Sequence, residues 1–300
     1  MALVPFDDRD GVIWLDGAFV PWREAKLHVL SHGLHYASGV FEGERAYLGN
    51  IFKLRQHSER LAASAKILGF ELPLSVEQID AACNETLQRN GLTDAYIRPI
   101  AWRGPEEMGV AAKGTKIHMA IAVWEWGAYF GVEQRMTGVR LAIAPWRRPD
   151  PRTAPTASKA TGLYMIATLS KHAAMDQGCD DALMLDYKGD VAEATGANVF
   201  FVMDGELHTP TPACFLDGIT RRTVMSLAKT RQIKVVERTI TEAEMKRATE
   251  VFLAGTAAEV TPVRQIGELA FTPGKVTETL MKDYDALVRM SPDEVAKRAA

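Results

Sequence analysis

Between Trp126 and Gly138 the chain loses its hydrophobic period and gathers Gly127, Gly131 and Gly138 around Tyr129, and this break constrains the fold more than any other feature. Before it, amphipathic helical stretches alternate with short strand-like runs; after it, strand-like runs separated by tight turns dominate. A chain of 300 residues exceeds the about 100–200 residues of an ordinary single core. The break therefore reads as a joint, with a small N-terminal α/β domain over 1–127, an interdomain loop over 128–138, and a large C-terminal domain over 139–300 that carries Lys159.

In the first half, Val12 to Val20 alternates apolar and polar residues around Asp16-Gly17, predicting a hairpin. Val40 to Tyr47 predicts one alternating strand, with Ile51 to Leu54 returning from a Gly49-Asn50 turn. Leu61, Ala65 and Leu68, and then Ile79, Cys83 and Leu87, fall on single helical faces. Ala95 to Arg103 and Lys116 to Trp126 complete a sheet covered by those two helices. In the second half, a strand at Val139 to Ala144 and a proline-rich loop precede a helix expected from about Ala160 to Gln177, and a meander runs from Ala182 to Thr209. A helix over Thr220 to Thr230 and strands at Lys234 to Arg238 and Glu250 to Ala254 follow.

With 47% hydrophobic and 24% charged residues and a formal net charge of -3, the chain is an ordinary globular one with no basic field to draw a nucleic-acid backbone. The pairs Arg147-Arg148 and Arg221-Arg222 read as solvated surface or small-anion contacts. No run approaches the roughly 20 apolar residues of a spanning helix, and Met1 to Asp10 lacks a signal-peptide core. Cys83, Cys179 and Cys214 are odd in number and unpaired by spacing. Cytoplasmic localisation is the expectation. His28, His32 and His35 cluster without metal-ligand spacing, and no metal is assigned. The chain has no G-x-S-x-G elbow for a serine hydrolase.

Lys159 lies among small residues, Ala157-Ser158-Lys159-Ala160-Thr161-Gly162, after the proline loop. Partial desolvation there would favour the neutral, nucleophilic amine that Schiff-base chemistry requires; a solvated surface charge is the alternative. Leu216-Asp217-Gly218-Ile219-Thr220 leads into a helix whose first amides could bind an anion, and Gly255-Thr256-Ala257-Ala258-Glu259 offers a second small-residue turn. An ordinary helix cap and an ordinary turn explain each equally well alone. Glu193, between alanines in Val191 to Gly196, faces either solvent or a partner such as a pyridinium nitrogen. Arg60 and Arg98, set in apolar periodic stretches, suit phosphate or carboxylate recognition or a structural ion pair.

In order along the chain, His35-Tyr36, Phe41-Glu42-Gly43, Arg60-Leu61 with Ser64-Ala65-Lys66, Tyr96-Ile97-Arg98, Met108-Gly109-Val110, Trp126-Gly127-Ala128-Tyr129, Lys159-Ala160, Glu193, Gly218-Ile219-Thr220-Arg221 and Gly255 to Glu259 resemble the class IV, fold-type IV aminotransferases of the branched-chain type. The resemblance spans nearly the whole chain. It implies pyridoxal 5'-phosphate as cofactor and an α/β fold of a smaller N-terminal α/β sandwich and a larger C-terminal pseudo-barrel domain. By that resemblance Lys159 carries the cofactor and moves the proton at the substrate α-carbon, Tyr164 bonds the phenolate oxygen and Glu193 pairs with the ring nitrogen. Arg60, Gly218, Ile219, Thr220, Gly255 and Thr256 hold the phosphate, and Thr256, Ala257 and Ala258 meet the substrate α-carboxylate. Phe41, Trp126, Tyr129 and Tyr164 form an apolar substrate pocket, with Gly43 and Arg45 as further substrate-binding residues, while Arg98, with Tyr96 and Tyr36, takes the γ-carboxylate of glutamate. Tyr36, Met108 and Val110 come from the neighbouring subunit, making a homodimer the minimum unit, with a trimer of dimers as a larger assembly.

The implied activity is transamination between branched-chain L-amino acids and 2-oxoglutarate. D-Amino acid or (R)-amine transamination and aminodeoxychorismate lyase chemistry share the scaffold, and a non-catalytic ligand-binding homologue is the alternative from another class. One residue departs from the pattern: Glu44 stands where an apolar residue is common. In an alternating strand it points away from Phe41, Gly43 and Arg45, and its expected effect is on the surface or a subunit contact.

Overall fold

The computed structural model describes residues 4–127, 135 and 137–290. They cluster as two compact units, Met1–Gly127 with Ser158–Gly162, and Ala128–Ala157 with Leu163–Ala300.

The first unit is built on a sheet of β1 (Val12–Leu15), β2 (Ala18–Pro21), β3 (Gly39–Phe41), β4 (Glu44–Tyr47), β5 (Asn50–Ile51), β6 (Ala95–Arg103) and β7 (Ile117–Glu125). Its order is β2-β1-β7-β6-β4-β5, with β3 also on β6 and every pairing antiparallel. Asp16 and Gly17 both take positive φ (49° and 96°), which lets a two-residue turn follow the twist of the β1–β2 hairpin. Two helices, α2 (Leu54–Ile67) and α3 (Val76–Arg89), follow the short α1 (His32–Tyr36). They bury Leu61 and Ala65, and Ile79, Cys83 and Leu87, in one core with Ala46, Ile97, Met119, Ile121 and Val123 of the strands. Ser75 and Gln78 close a reciprocal capping box that fixes where α3 begins.

Three expectations change here. The stretch Val40 to Tyr47 is two strands, because the backbone at Glu42-Gly43 leaves the ladder between β3 and β4. Glu44 is fully buried and not on the surface: it occupies a core-facing position of β4, where its carboxyl meets Cys83 of α3, and neither carboxyl oxygen has a well-formed hydrogen-bond partner among the described residues. The segment carrying Lys159 packs with the first unit and not with the second half. Its backbone adds to the β3 edge, with Phe41 N–H donating to Lys159 O (3.1 Å), Val40 bridging Ala160, and Thr161 Oγ1 reaching Ala37 O and Gly39 O. Held extended in this way, it cannot begin the helix expected from Ala160. A 3-10 turn occupies Thr161–Tyr164, and α4 is Met165–Asp176.

The second unit is a sheet of β8 (Val139–Ile143), β9 (Asp181–Leu185), β10 (Val191–Ala194), β11 (Asn198–Met203), β12 (Glu206–Thr209), β13 (Val235–Glu237), β14 (Glu250–Gly255), β15 (Glu259–Ile266) and β16 (Leu269–Ala270). The path β10-β9-β8-β15-β14-β11 returns on itself through a β10–β11 pairing, so six strands close a barrel. Val199, Phe201, Leu253, Val263 and Leu183 are buried in its core. The helices α5 (Ile219–Thr230) and α6 (Lys275–Val288) pack against each other and against β14, with α6 also on β15. No helix is long and apolar enough to cross a membrane among the described residues.

Both arginine pairs expected at the surface are split by the fold. Arg147 and Arg222 are exposed, but Arg148 and Arg221 are buried. Arg221 is held by Asp217 (2.9 Å) and Glu237 (2.6 Å), and Arg148 reaches Glu193 (3.4 Å). A guanidinium taken out of water needs such partners.

Candidate active site

In the first unit, α2 presents His57, Arg60 and Ser64 toward the end of β3, a spacing that puts them on one helical stripe. Ser64 Oγ accepts from Lys159 N–H at 3.0 Å, and Ser158 Oγ donates to Ser64 O at 3.1 Å, so α2 and β3 together fix the lysine backbone. The Lys159 side chain is half-buried, with its Nζ 5.1 Å from the centre of the Phe41 ring. Arg98 places its guanidinium carbon 4.7 Å from the same ring centre and donates to Tyr96 Oη at 3.4 Å. Tyr96 in turn packs on Trp126, with ring centres 4.8 Å apart. A methyl group at Gly43 would sit 1.9 Å from Tyr96 Oη, so only glycine lets that hydroxyl through. Arg45 lies over the Tyr47 ring, 4.8 Å from its centre. Thus Phe41, Gly43, Tyr96, Arg98, Trp126 and Lys159 form one connected group.

Arg60 is engaged from behind by a residue that sequence reasoning did not assign. Its Nε and Nη2 donate to the two oxygens of Glu42 at 2.7 and 2.8 Å, and His57 Nδ1 lies 2.7 Å from Glu42 Oε2. Burial alone would push the Glu42 carboxyl up, but the charge of Arg60, the His57 ring and their hydrogen bonds hold it well below the usual range. The His57 ring is itself pushed toward its neutral form by burial, so the proton it shares with Glu42 sits on Nδ1.

His32 joins two further expected residues. It stacks on Tyr36 (4.6 Å between ring centres), and its Nε2 lies 2.8 Å from the carbonyl oxygen of Gly109, between Met108 and Val110. Tyr36, Met108 and Val110 are 46%, 47% and 87% exposed. Tyr129 lies outside the described residues. Among those described, no group of three or more His, Cys, Asp and Glu could hold a metal ion.

In the second unit, Glu193, Gly218 and Gly255 converge on the turn between β10 and β11. Glu193 on β10 pairs across the ladder with Asn198, whose Nδ2 donates to Glu193 Oε2 (3.2 Å) and to Leu216 O (3.0 Å). Arg148 Nε stands 3.4 Å from the other Glu193 oxygen, as an ion pair. Gly218 precedes α5 without any side-chain cap, and a methyl group there would lie 2.2 Å from Asn198 Oδ1. Ile219 and Thr220 are buried at the first turn. Gly255 closes on the same turn, since a methyl group would meet Ala197 Cβ at 3.1 Å and Gly196 O at 3.2 Å. Thr256 and Ala257 are half-buried and Ala258 is buried beyond it. Tyr164 ends the 3-10 turn at the start of α4 and is half-buried.

This unit therefore offers an uncapped helix N-terminus and a glycine turn for an anion, beside a carboxylate oriented by Asn198 and Arg148. Asn198, Arg148, Glu42, His57 and Ser64 are the functional candidates missed in the sequence. The readable signal was polar residues in core register: His57 and Ser64 lie in step with buried Leu61.

The family model of the class IV amino-transferases matches residues 39–266. The chain is 44% identical over 288 residues to the branched-chain-amino-acid aminotransferase of Pseudomonas aeruginosa, covering 94% of each. It is similar to the crystal structure of the branched-chain aminotransferase from the thermophilic archaeon Thermoproteus uzoniensis with norvaline (39% identity, TM-score 0.90, 94% and 95% of the chains covered). The branched-chain amino acid aminotransferase of Thermobaculum terrenum in its PLP-form matches at 30% identity and TM-score 0.86, over 93% and 94% of the chains. With a matching family model over most of its length, the Lys159 segment on β3 and a closed six-strand barrel, the chain belongs to the class IV aminotransferases of fold-type IV, in the branched-chain-amino-acid aminotransferase group.

Proposed function

We propose that the protein transfers amino groups between branched-chain L-amino acids and 2-oxoglutarate, using pyridoxal 5'-phosphate. The observation that carries this reading is the Phe41 ring, bracketed by the amine of Lys159 and the guanidinium of Arg98. An apolar substrate side chain has an aromatic surface to bury against, worth about 1.5–3 kcal/mol, and a substrate γ-carboxylate has Arg98. One pocket can then serve leucine, isoleucine or valine and also glutamate.

The donor sets fit the cofactor. In the second unit the uncapped α5 N-terminus at Gly218, Ile219 and Thr220 and the Gly255-Thr256 turn suit a phosphate, as does Arg60 of the first; Glu193, ion-paired with Arg148, suits a pyridinium nitrogen; Tyr164 suits the phenolate oxygen. Bound there, pyridoxal phosphate supplies an aldehyde for the amino group and an electron-accepting ring. Lys159 would hold the cofactor and carry the proton between the substrate α-carbon and C4′ of the cofactor. Thr256, Ala257 and Ala258 receive the α-carboxylate. Phe41, Gly43, Arg45, Tyr96, Trp126 and Tyr129 shape the side-chain pocket. The exposed Tyr36, Met108 and Val110 complete the pocket of a second copy in a homodimer, and the protein works in the cytoplasm.

The test is a substrate panel. L-Leucine should bleach the yellow absorbance of the purified holoenzyme, and 2-oxoglutarate should restore it. Bleaching by D-alanine or (R)-1-phenylethylamine and not by L-leucine would overturn the substrate assignment, and protein that never turns yellow with added cofactor would overturn the cofactor.

A further inference from the structure

We infer that Glu42 is the positioning residue for Arg60: a fully buried carboxylate that locks the guanidinium in one orientation, so that an anion such as the cofactor phosphate must meet its other edge. The inference rests on the reading above, in which Arg60 binds that phosphate.

The geometry is specific. Both Glu42 oxygens are used, one by Arg60 Nε and the other by Arg60 Nη2, at 2.7 and 2.8 Å. This parallel fork fixes the plane of the guanidinium as well as its position, which a single hydrogen bond cannot do. Since the Nε/Nη2 edge is taken, an anion contact of Arg60 must use the edge formed by Nη1 and the outer Nη2 hydrogen. Oε2 also takes the proton of His57 Nδ1 (2.7 Å) and the backbone N–H of Gly43 (3.2 Å), so Glu42 has few ways to turn. The titratable groups acting on it are His57 and Arg60 of α2 and Glu44 of the adjoining β4, which in turn meets Asp80 and Cys83 of α3. Burial makes the pair strong in one sense only. A lone charge left in this site would be costly, so Glu42 and Arg60 stand or fall together.

The fold also ties this lock to the reactive amine. Phe41, the residue before Glu42, receives the Lys159 backbone through its N–H, and α2 contributes both Arg60 and, one turn on, the Ser64 hydroxyl that takes the Lys159 amide. One strand end and one helical stripe therefore set the lysine and the guanidinium from a common frame.

The experiment compares the affinity of the protein for pyridoxal phosphate with that for pyridoxal, by titrating cofactor-depleted protein and reading the visible absorbance. The ratio isolates the phosphate contribution, and general loosening of the fold changes both affinities and leaves the ratio unmoved. Arg60→Met should lower it, Glu42→Gln should lower it by about tenfold, as expected when one charged hydrogen bond is lost, and the double variant should match Arg60→Met alone. If Arg60→Met lowers the ratio and Glu42→Gln does not, or if the two losses add, the positioning role is overturned while the phosphate reading stands. If Arg60→Met leaves the ratio unchanged, the reading of Arg60 fails and the inference with it. Should Glu42→Gln not fold, Glu42→Asp, which keeps the charge and withdraws it by one methylene, must lower the same ratio; an unchanged ratio overturns the role.

Discussion

The two units hold their functional groups by opposite means. In the first, charged side chains grip one another: Glu42 clasps Arg60 and His57. In the second, grip comes from backbone and close approach: an uncapped helix end, two glycines whose missing methyl groups are the point, and one asparagine amide joining Glu193 to Leu216. In the first arrangement, removing one member of the clasp strands a charge in the core; in the second, a single carbon added at Gly218 or Gly255 meets atoms already in place.

The largest effect should come from Lys159→Ala, which removes the one group assigned to both cofactor attachment and proton movement. Turnover should drop by ~10^4 or more with an unchanged circular dichroism spectrum, and a normal rate would take Lys159 out of its role. Glu193→Gln should follow, with kcat lower by about ten- to a hundredfold and a shifted absorbance maximum of the bound cofactor; an unaltered spectrum would remove Glu193 from the ring nitrogen.

Gly218→Ala sharpens the contrast directly. The added methyl displaces Asn198 and costs it two hydrogen bonds, about 1–3 kcal/mol, so cofactor should dissociate faster, by a factor that stays constant between pH 5 and 9. A strongly pH-dependent factor would mean that charge and not shape governs this unit.

Glu44→Gln is the smallest change and the opposite test. Burial, then the nearby Glu42 and Asp80, hold the Glu44 carboxyl well above the usual value of 4.5. The folded chain thus keeps a proton that the unfolded chain releases, and stability declines as pH rises above about 4.5. Glutamine should raise the melting temperature at pH 8 and have little effect at pH 4; an effect that grows toward acid would reverse the assignment. Its neighbour Glu42 carries the opposite sign: its carboxyl is depressed, so its contribution is complete above the unfolded value and is lost progressively as pH falls below about 4.5.

What could be read from the sequence divides along sequence distance. The β1–β2 hairpin, the apolar faces of α2 and α3, and the meander from β9 to β12 are local patterns, and all form. Glu42 and Arg60 each looked isolated because the partner of each lies on another element, and no period records that pairing. Arg148 and Glu193 are likewise brought together only across strands, since Arg148 bridges Asp186 at the end of β9 and Glu193 pairs with Met184 of that strand. β15 was not anticipated: Pro262 interrupts its pattern, and the strand nonetheless pairs Phe252 with Pro262 inside the sheet. The Lys159 segment was assigned to the wrong unit for the same reason, since its bonds to Phe41 and Ser64 skip about a hundred residues of chain.

That excursion has a consequence for how the gene product can be divided. The chain changes unit at 127/128, at 157/158 and at 162/163, so no single cut yields two fragments that each own a whole unit. A piece ending at Gly127 would present the β3 edge without Lys159, and a piece beginning at Ala128 would carry that lysine with neither Phe41 nor Ser64 to seat it. The lysine lies in sequence between stretches of the second unit while its backbone is seated by the first, so a cut between them parts it from the residues that seat it.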